Sequence, residues 1–330
     1  MVDVAAAADP VAAVLSTHQH GGLLALRTSG TSGRPRSVVR STTSWFDSFE
    51  HVTRLLSMDC GSRVWVPGPL SATMNLFAAV HAAHLGAEVS ASPEAATHAV
   101  LTPSGLSRAV AHGVDLSGVH VLVAGDRLGR QLQEAAVAGG AARVSHYYGA
   151  AELSFVAWGS HAGDLVPFPG VEVDCRDGVV WVRSPYVCLR YDGPHGPLSR
   201  REDGFVTVGD RGRLVGGVLQ VGGRGDETVV TAGATVLTPE VEAALEHATG
   251  HTLAVLGLAH PDLGEVLCGV VTDVRFVRKL RDAAREVLEP AQRPRRWFEV
   301  AELPVTPAGK LDRQSLRRMI ESTEGARAVV

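Results

Sequence analysis

The sequence predicts an α/β protein of two domains. A large N-terminal domain carries a mostly parallel sheet and ends in a small β-barrel subdomain, and a small α+β domain follows. Three observations predict this. Between Leu23 and His146, short apolar runs alternate with stretches of helical pattern, as βα units do. From Val171 the periodicity changes to two, broken by the turn signals Asp177-Gly178 and Tyr191-Asp192-Gly193. Glycines then punctuate the chain at Gly216-Gly217 and from Gly222 to Asp226, and a second, compact pattern begins.

The elements follow in order. Val11–His18 reads as a short helix, and Leu23–Arg27 as a strand running into a glycine loop. A helix over 41–56 comes next, then a strand over 63–66, a helix over 71–85 and a strand over 87–90. Strand-length apolar runs at 99–101, 119–124 and 142–146 are separated by helical stretches at 104–110 and 127–138. Beyond Thr228 the pattern predicts helices over 239–247, 274–288 and 313–320, and strands over 254–258, 266–271 and 298–300. The domain boundary is placed at Asp226, giving domains 1–225 and 226–330.

Composition narrows the function classes. With 330 residues the chain can bury two cores, and a net charge of −4 implies no nucleic-acid partner. The first eighteen residues lack Lys and Arg, unlike a secretory signal. The apolar stretch from Met74 to Leu85 is short and holds His81 and His84, so it reads as a buried helix rather than a membrane span. Cys60, Cys175, Cys188 and Cys268 show no metal spacing, which favours a reduced, cytoplasmic setting.

Two distant loops carry the chemistry. The first, Thr28-Ser29-Gly30-Thr31-Ser32-Gly33-Arg34-Pro35-Arg36, is small, hydroxyl-rich and ends in a cation. Such a loop can close its N–H groups around phosphate oxygens, although the glycine spacing is not that of a Walker loop. The second, Pro304 to Arg313, sets Lys310 at a Pro/Gly turn before a helix. Either loop alone reads as ordinary surface. Together they suggest nucleotide chemistry on a carboxylic acid.

Further segments follow in a fixed order: Tyr148-Gly149-Ala150-Ala151-Glu152, Gly209-Asp210, Gly223 to Glu227, Gly233 to Glu242, and Pro304 to Arg313. With the first loop, this series resembles the motifs of the AMP-forming acyl- and aryl-CoA synthetases, the adenylate-forming superfamily. The resemblance runs from residue 28 to 313. It implies adenylation of a carboxylic acid by ATP with Mg²⁺, then transfer to CoA or to the pantetheine of a carrier protein. It further implies that Thr28, Ser29, Gly30, Thr31, Ser32, Gly33 and Arg36 hold the phosphates. Gly125, Asp126, Tyr148 and Gly149 would bound the adenine, Ala150 and Ala151 would leave room beside the phosphates with Ala150 also near the acid pocket, Glu152 would ligate Mg²⁺, and Asp210 and Arg224 would bind ribose. Lys310 would stabilise the adenylation transition state. Asp226 would be the hinge of a mobile C-terminal domain, and Gly233 would line the thiol channel. Ser71, Thr73, Asn75 and Val123 are expected in the acid pocket.

The chain departs from the family pattern at four places. Arg36 replaces a lysine, Ala151 replaces a threonine, and Thr238 stands at the usual proline position. The leader before the phosphate loop is short, as in some o-succinylbenzoate–CoA ligases, and a homodimer is one way to cover the face it would leave open. An aryl, a medium acyl or an o-succinylbenzoate-like acid all stay open as substrates. The absence of Lys and Arg from Leu70–Phe77 counts against a second carboxylate. A catalytically weakened relative acting as a nucleotide-binding module is the reading from another class.

Overall fold

In the computed structural model, the described residues are 1–28, 36–193, 196–223, 228–231, 234–306, 311–322 and 325–329. The chain divides into two compact units. One is built on Met1–Gly209 with Arg213–Gln220, the other on Asp210–Gly212 with Val221–Thr306 and the residues that follow. The fold is mixed α/β.

The first unit is organised by a seven-stranded sheet. Its parallel core runs Arg143–Ala150, His120–Val123, His98–Leu101, Arg63–Trp65, Glu88–Ser90 in spatial order. These are the apolar runs expected from the sequence, and their connections are the helices Thr73–Leu85, Pro103–Ala111 and Arg130–Ala138. His98–Leu101 and His120–Val123 are buried at every position, as strands covered on both faces must be. One face packs Ala99, Leu101, Val121 and Val123 against Leu106 and Leu128. Ser154–Gly159 adds an antiparallel strand that folds back on Arg143–Ala150.

A second sheet holds the start of the chain. Leu23–Thr28 and Arg36–Ser41 are antiparallel partners, closing with Thr28 opposite Arg36. The strand that follows the glycine loop is an element that the hydrophobic pattern did not reveal. A six-stranded sheet stands where the period-two alternation predicts a barrel-like closure. It includes the antiparallel pair Glu172–Arg176 with Val179–Arg183, turned at Asp177 (φ 53°) and Gly178 (φ 72°).

The second unit has a six-stranded sheet with helices on both faces. Along Gly264–Val271 the alternation is clean: Leu267 and Val271 join Trp297, Val241 and Leu280, while Val266, Cys268 and Val270 join Leu316 and Ile320. The helices are Thr238–Thr249, Val277–Val287 and Arg313–Glu321. The hairpin Thr228–Thr231 with Ala234–Leu237, and the last strand Ala326–Val329, add to the expected elements. No helix among the described residues is long and apolar enough to cross a membrane.

Candidate active site

In an open parallel sheet, ligands bind beyond the carboxyl ends of the strands. Here Val123 pairs with His146 on adjacent parallel strands, so the residues that follow, Gly125-Asp126 and Tyr148-Gly149, emerge side by side. Gly125 takes φ 91°, a conformation costly for any residue with a Cβ. Asp126 is exposed and turns its Oδ1 back to the N–H of Arg127 at 2.8 Å.

The segment Tyr148 to Glu152 runs from the end of the strand Arg143–Ala150 into the turn of the antiparallel hairpin. The register shifts between Tyr148 and Gly149, and a Cβ on Gly149 would collide with the Ser154 carbonyl. Leu153 N–H closes the turn on the Ala150 carbonyl at 3.0 Å, and Ser154 takes φ 59°. Tyr148, Gly149, Ala150 and Ala151 are half-buried.

This turn drives Glu152 inward, to 5% exposure. Its carbonyl accepts from the N–H of Cys188 at 2.7 Å. Its carboxylate Oε1 accepts from the hydroxyl of Tyr191 at 2.8 Å. Beside it lies Arg40, fully buried, donating to Ser154 Oγ at 2.6 Å and to the Tyr186 carbonyl at 2.9 Å. Burial pushes the Arg40 guanidinium down to about 10, and the fields of Cys188 and Glu152 oppose that shift. A buried carboxylate thus has a buried counter-charge. Tyr191 and Arg40 were not singled out from the sequence. Tyr191 is masked there by its turn neighbours Asp192-Gly193, whereas Arg40, a charge directly after the apolar pair Val38-Val39, is a signal that could have been followed.

Arg36 is half-buried at the first position of its strand. Asp210 is buried and follows Gly209, which takes φ 82°. Ser29, Gly30, Thr31, Ser32, Gly33, Arg224, Asp226, Gly233 and Lys310 lie outside the described residues, as does the side chain of Thr28.

The expected acid-pocket residues do not share one surface. Thr73 Oγ1 donates to the Arg27 carbonyl at 3.4 Å, near the end of the strand Leu23–Thr28. Ser71 is exposed. Asn75 is buried and spends its amide on the Pro69 carbonyl at 3.0 Å, bracing the preceding turn. Val123 points to the opposite face of the sheet, among Ala99, Leu101, Leu106 and Leu128. Its neighbour Leu122 instead lines an apolar cavity under the helix Thr73–Leu85, with Met74, Phe77, His81 and Phe155. The period-two alternation of strand side chains separates the two residues.

Mg²⁺ bound to a nucleotide asks for one or two protein carboxylates, its other ligands being phosphate oxygens and water. Glu152 fits that demand: Tyr191 takes Oε1, and no described residue donates to Oε2. No cluster of three metal-ligating side chains occurs among the described residues.

Comparison with known proteins gives the class. No family model matches the chain. It is 26% identical over 361 residues to the "Uncharacterized acyl–CoA ligase" of Bacillus subtilis, covering 98% of this chain and 73% of that protein. It is 33% identical over 208 residues to the "Probable 2-succinylbenzoate–CoA ligase" of Mycobacterium tuberculosis, covering 60% and 53%. ATP-bound MatB from Rhodopseudomonas palustris shares the fold, with a TM-score of 0.78, 21% identity and coverage of 91% and 68%. Along nearly its whole length the chain is thus similar to a protein named an acyl–CoA ligase, and it shares the fold of MatB.

Proposed function

We propose that the protein is an AMP-forming acid–CoA ligase. A carboxylate oxygen attacks the α-phosphorus of ATP, the bond to the bridging oxygen breaks, and pyrophosphate leaves. The thiol of CoA then attacks the acyl carbon of the acyl-AMP, releasing AMP and a proton. The observation that carries this reading is Glu152, a buried carboxylate at the carboxyl end of the parallel sheet with one oxygen to which no described residue donates.

The residue roles are those that the motif resemblance implies. Two anions meet in the first step, so preorganised positive charge is the main requirement. The loop from Thr28 to Gly33, with Arg36, supplies N–H groups, hydroxyls and a cation to the β- and γ-phosphates. Thr28 and Arg36, paired across the hairpin, hold the ends of that loop together. Tyr148 and Gly149 take the adenine, with Gly125 and Asp126 alongside. Asp210 accepts from the ribose hydroxyls, assisted by Arg224. Mg²⁺ on Glu152 would neutralise phosphate charge. Lys310 meets the α-phosphate and the attacking carboxylate. In this reading, rotation about Asp226 then withdraws Lys310 and brings Gly233 to the thiol. A C-terminal domain from residue 226 is part of the same proposal.

CoA is the acceptor in this reading, with a carrier-protein pantetheine as the alternative. The four cysteines are free, which suits a reduced, cytoplasmic setting. ATP–pyrophosphate exchange that depends on an added carboxylic acid tests the first half-reaction. Exchange in the wild type and its loss in Glu152→Gln support the proposal; a wild type inert with every acid counts against it.

A further inference from the structure

Tyr191 occupies the middle of the short strand Arg190–Asp192, opposite Val38 on the strand that follows the glycine loop. Its hydroxyl donates to Glu152 Oε1 at 2.8 Å and accepts from Leu198 N–H at 3.3 Å. The backbone at Gly196 lies against its ring so closely that a Cβ there would collide with it. The phenol is therefore held by its strand, by Gly196 and by Leu198, and both of its hydrogen-bonding directions are used. Glu152 is also tied at its backbone through Cys188, leaving only its side-chain torsions for Tyr191 to restrain.

We infer that Tyr191 is a positioning residue for Glu152: by engaging Oε1 it presents Oε2 as a single-oxygen ligand to a divalent cation carried on nucleotide phosphates. The inference rests on the reading of Glu152 as the metal-binding carboxylate. The physical reason is the strict geometry of such cations. Mg²⁺ accepts only near-octahedral coordination, and a carboxylate free to rotate or to chelate through both oxygens satisfies it poorly. A donor on one oxygen fixes the plane of the group. Partners of metal ligands typically contribute 10–100-fold to metal affinity. Tyr191 lies 39 residues along the chain from Glu152, so the pairing exists only in the folded protein.

The test uses Mn²⁺ as a spectroscopic probe of the full-length protein saturated with a non-hydrolysable ATP analogue. Binding is read by electron paramagnetic resonance. Tyr191→Phe removes the hydroxyl and keeps the ring seated on Gly196. It is expected to weaken Mn²⁺ binding about 10–100-fold, with metal-free binding of the analogue unchanged. In a double-mutant cycle, Tyr191→Phe added to Glu152→Gln should have no further effect, because its action passes through the carboxylate. Wild-type Mn²⁺ affinity in Tyr191→Phe, beside weakened affinity in Glu152→Gln, overturns the inference and leaves the role of Glu152 standing. Additive losses in the double variant overturn it equally, by showing a general structural effect. Unchanged Mn²⁺ affinity in Glu152→Gln removes the reading on which the inference rests.

Discussion

Glu242 and Arg313 form a bidentate ion pair, with Nη1 2.7 Å from Oε1 and Nη2 3.0 Å from Oε2. Both also grip Val255: its N–H donates to Glu242 at 2.6 Å, and its carbonyl accepts from Arg313 at 2.9 Å. Asp312 caps the same helix through Ser315 N–H at 2.9 Å, and its own N–H reaches the Pro304 carbonyl at 2.8 Å. The chain immediately after Lys310 is thus anchored to the helix Thr238–Thr249 and to the sheet. Glu242→Gln removes the charge and keeps the shape. It should lower the stability of the second unit by about 1–3 kcal/mol, the scale of a lost charge-assisted fork in a partly buried site. Denaturant unfolding of the full chain measures it; a wild-type midpoint would show the pair to be ornamental.

Gly269 pairs with Trp297 across parallel strands, and the indole lies over the glycine. A Cβ at 269 would stand 2.6 Å from Cζ3 of that ring. Gly269→Ala should therefore destabilise the protein by about 1–3 kcal/mol, the cost of overpacking a filled core. The readout is the melting temperature. An unshifted melt would mean that the indole yields freely.

Acid should loosen the first unit early. His81, His120 and His146 are each held down to about 4, chiefly by burial. All three also hydrogen-bond as neutral rings, His120 to the Leu56 carbonyl at 3.0 Å and to Ser145 at 2.9 Å. Because the folded-state values lie below the free value of 6.5, the unfolded chain binds protons first as pH falls. Stability is full above about pH 6.5, declines below it, and the imidazole contribution is lost by about pH 4. Melting temperature from pH 8 to 5 checks this, in a window above most carboxylate titration. A flat profile there would contradict the burial of neutral histidines.

Lys310→Ala should cut acyl-AMP formation about 10²–10³-fold, the scale of losing one transition-state charge partner. Thioester formation from preformed acyl-AMP should be spared, since in the proposed reading the lysine acts only in the first step. Stopped assays of each half-reaction separate the two. Equal losses in both would assign Lys310 to something other than adenylation.

The parallel strands were legible because burial on both faces leaves unbroken apolar runs such as His120–Val123 with Ala124. Arg36–Ser41 was not: its polar ends hide it, and Arg40 within it is satisfied by Ser154 and Tyr186, 114 and 146 residues away. Motif order pointed to Glu152 but not to its partner, because Tyr191 is brought to it by strand pairing with Arg36–Ser41. The resemblance put Val123 in the acid pocket, while the two-residue alternation of its strand packs the side chain among Ala99, Leu101, Leu106 and Leu128.

The most direct measurement is acid-dependent pyrophosphate release with ATP and Mg²⁺ across aryl, fatty and dicarboxylic acids, with and without CoA. The account predicts release with one acid class, accelerated by CoA. Release that CoA leaves unchanged would move the acceptor to a carrier protein, and no release with any acid would contradict the ligase itself.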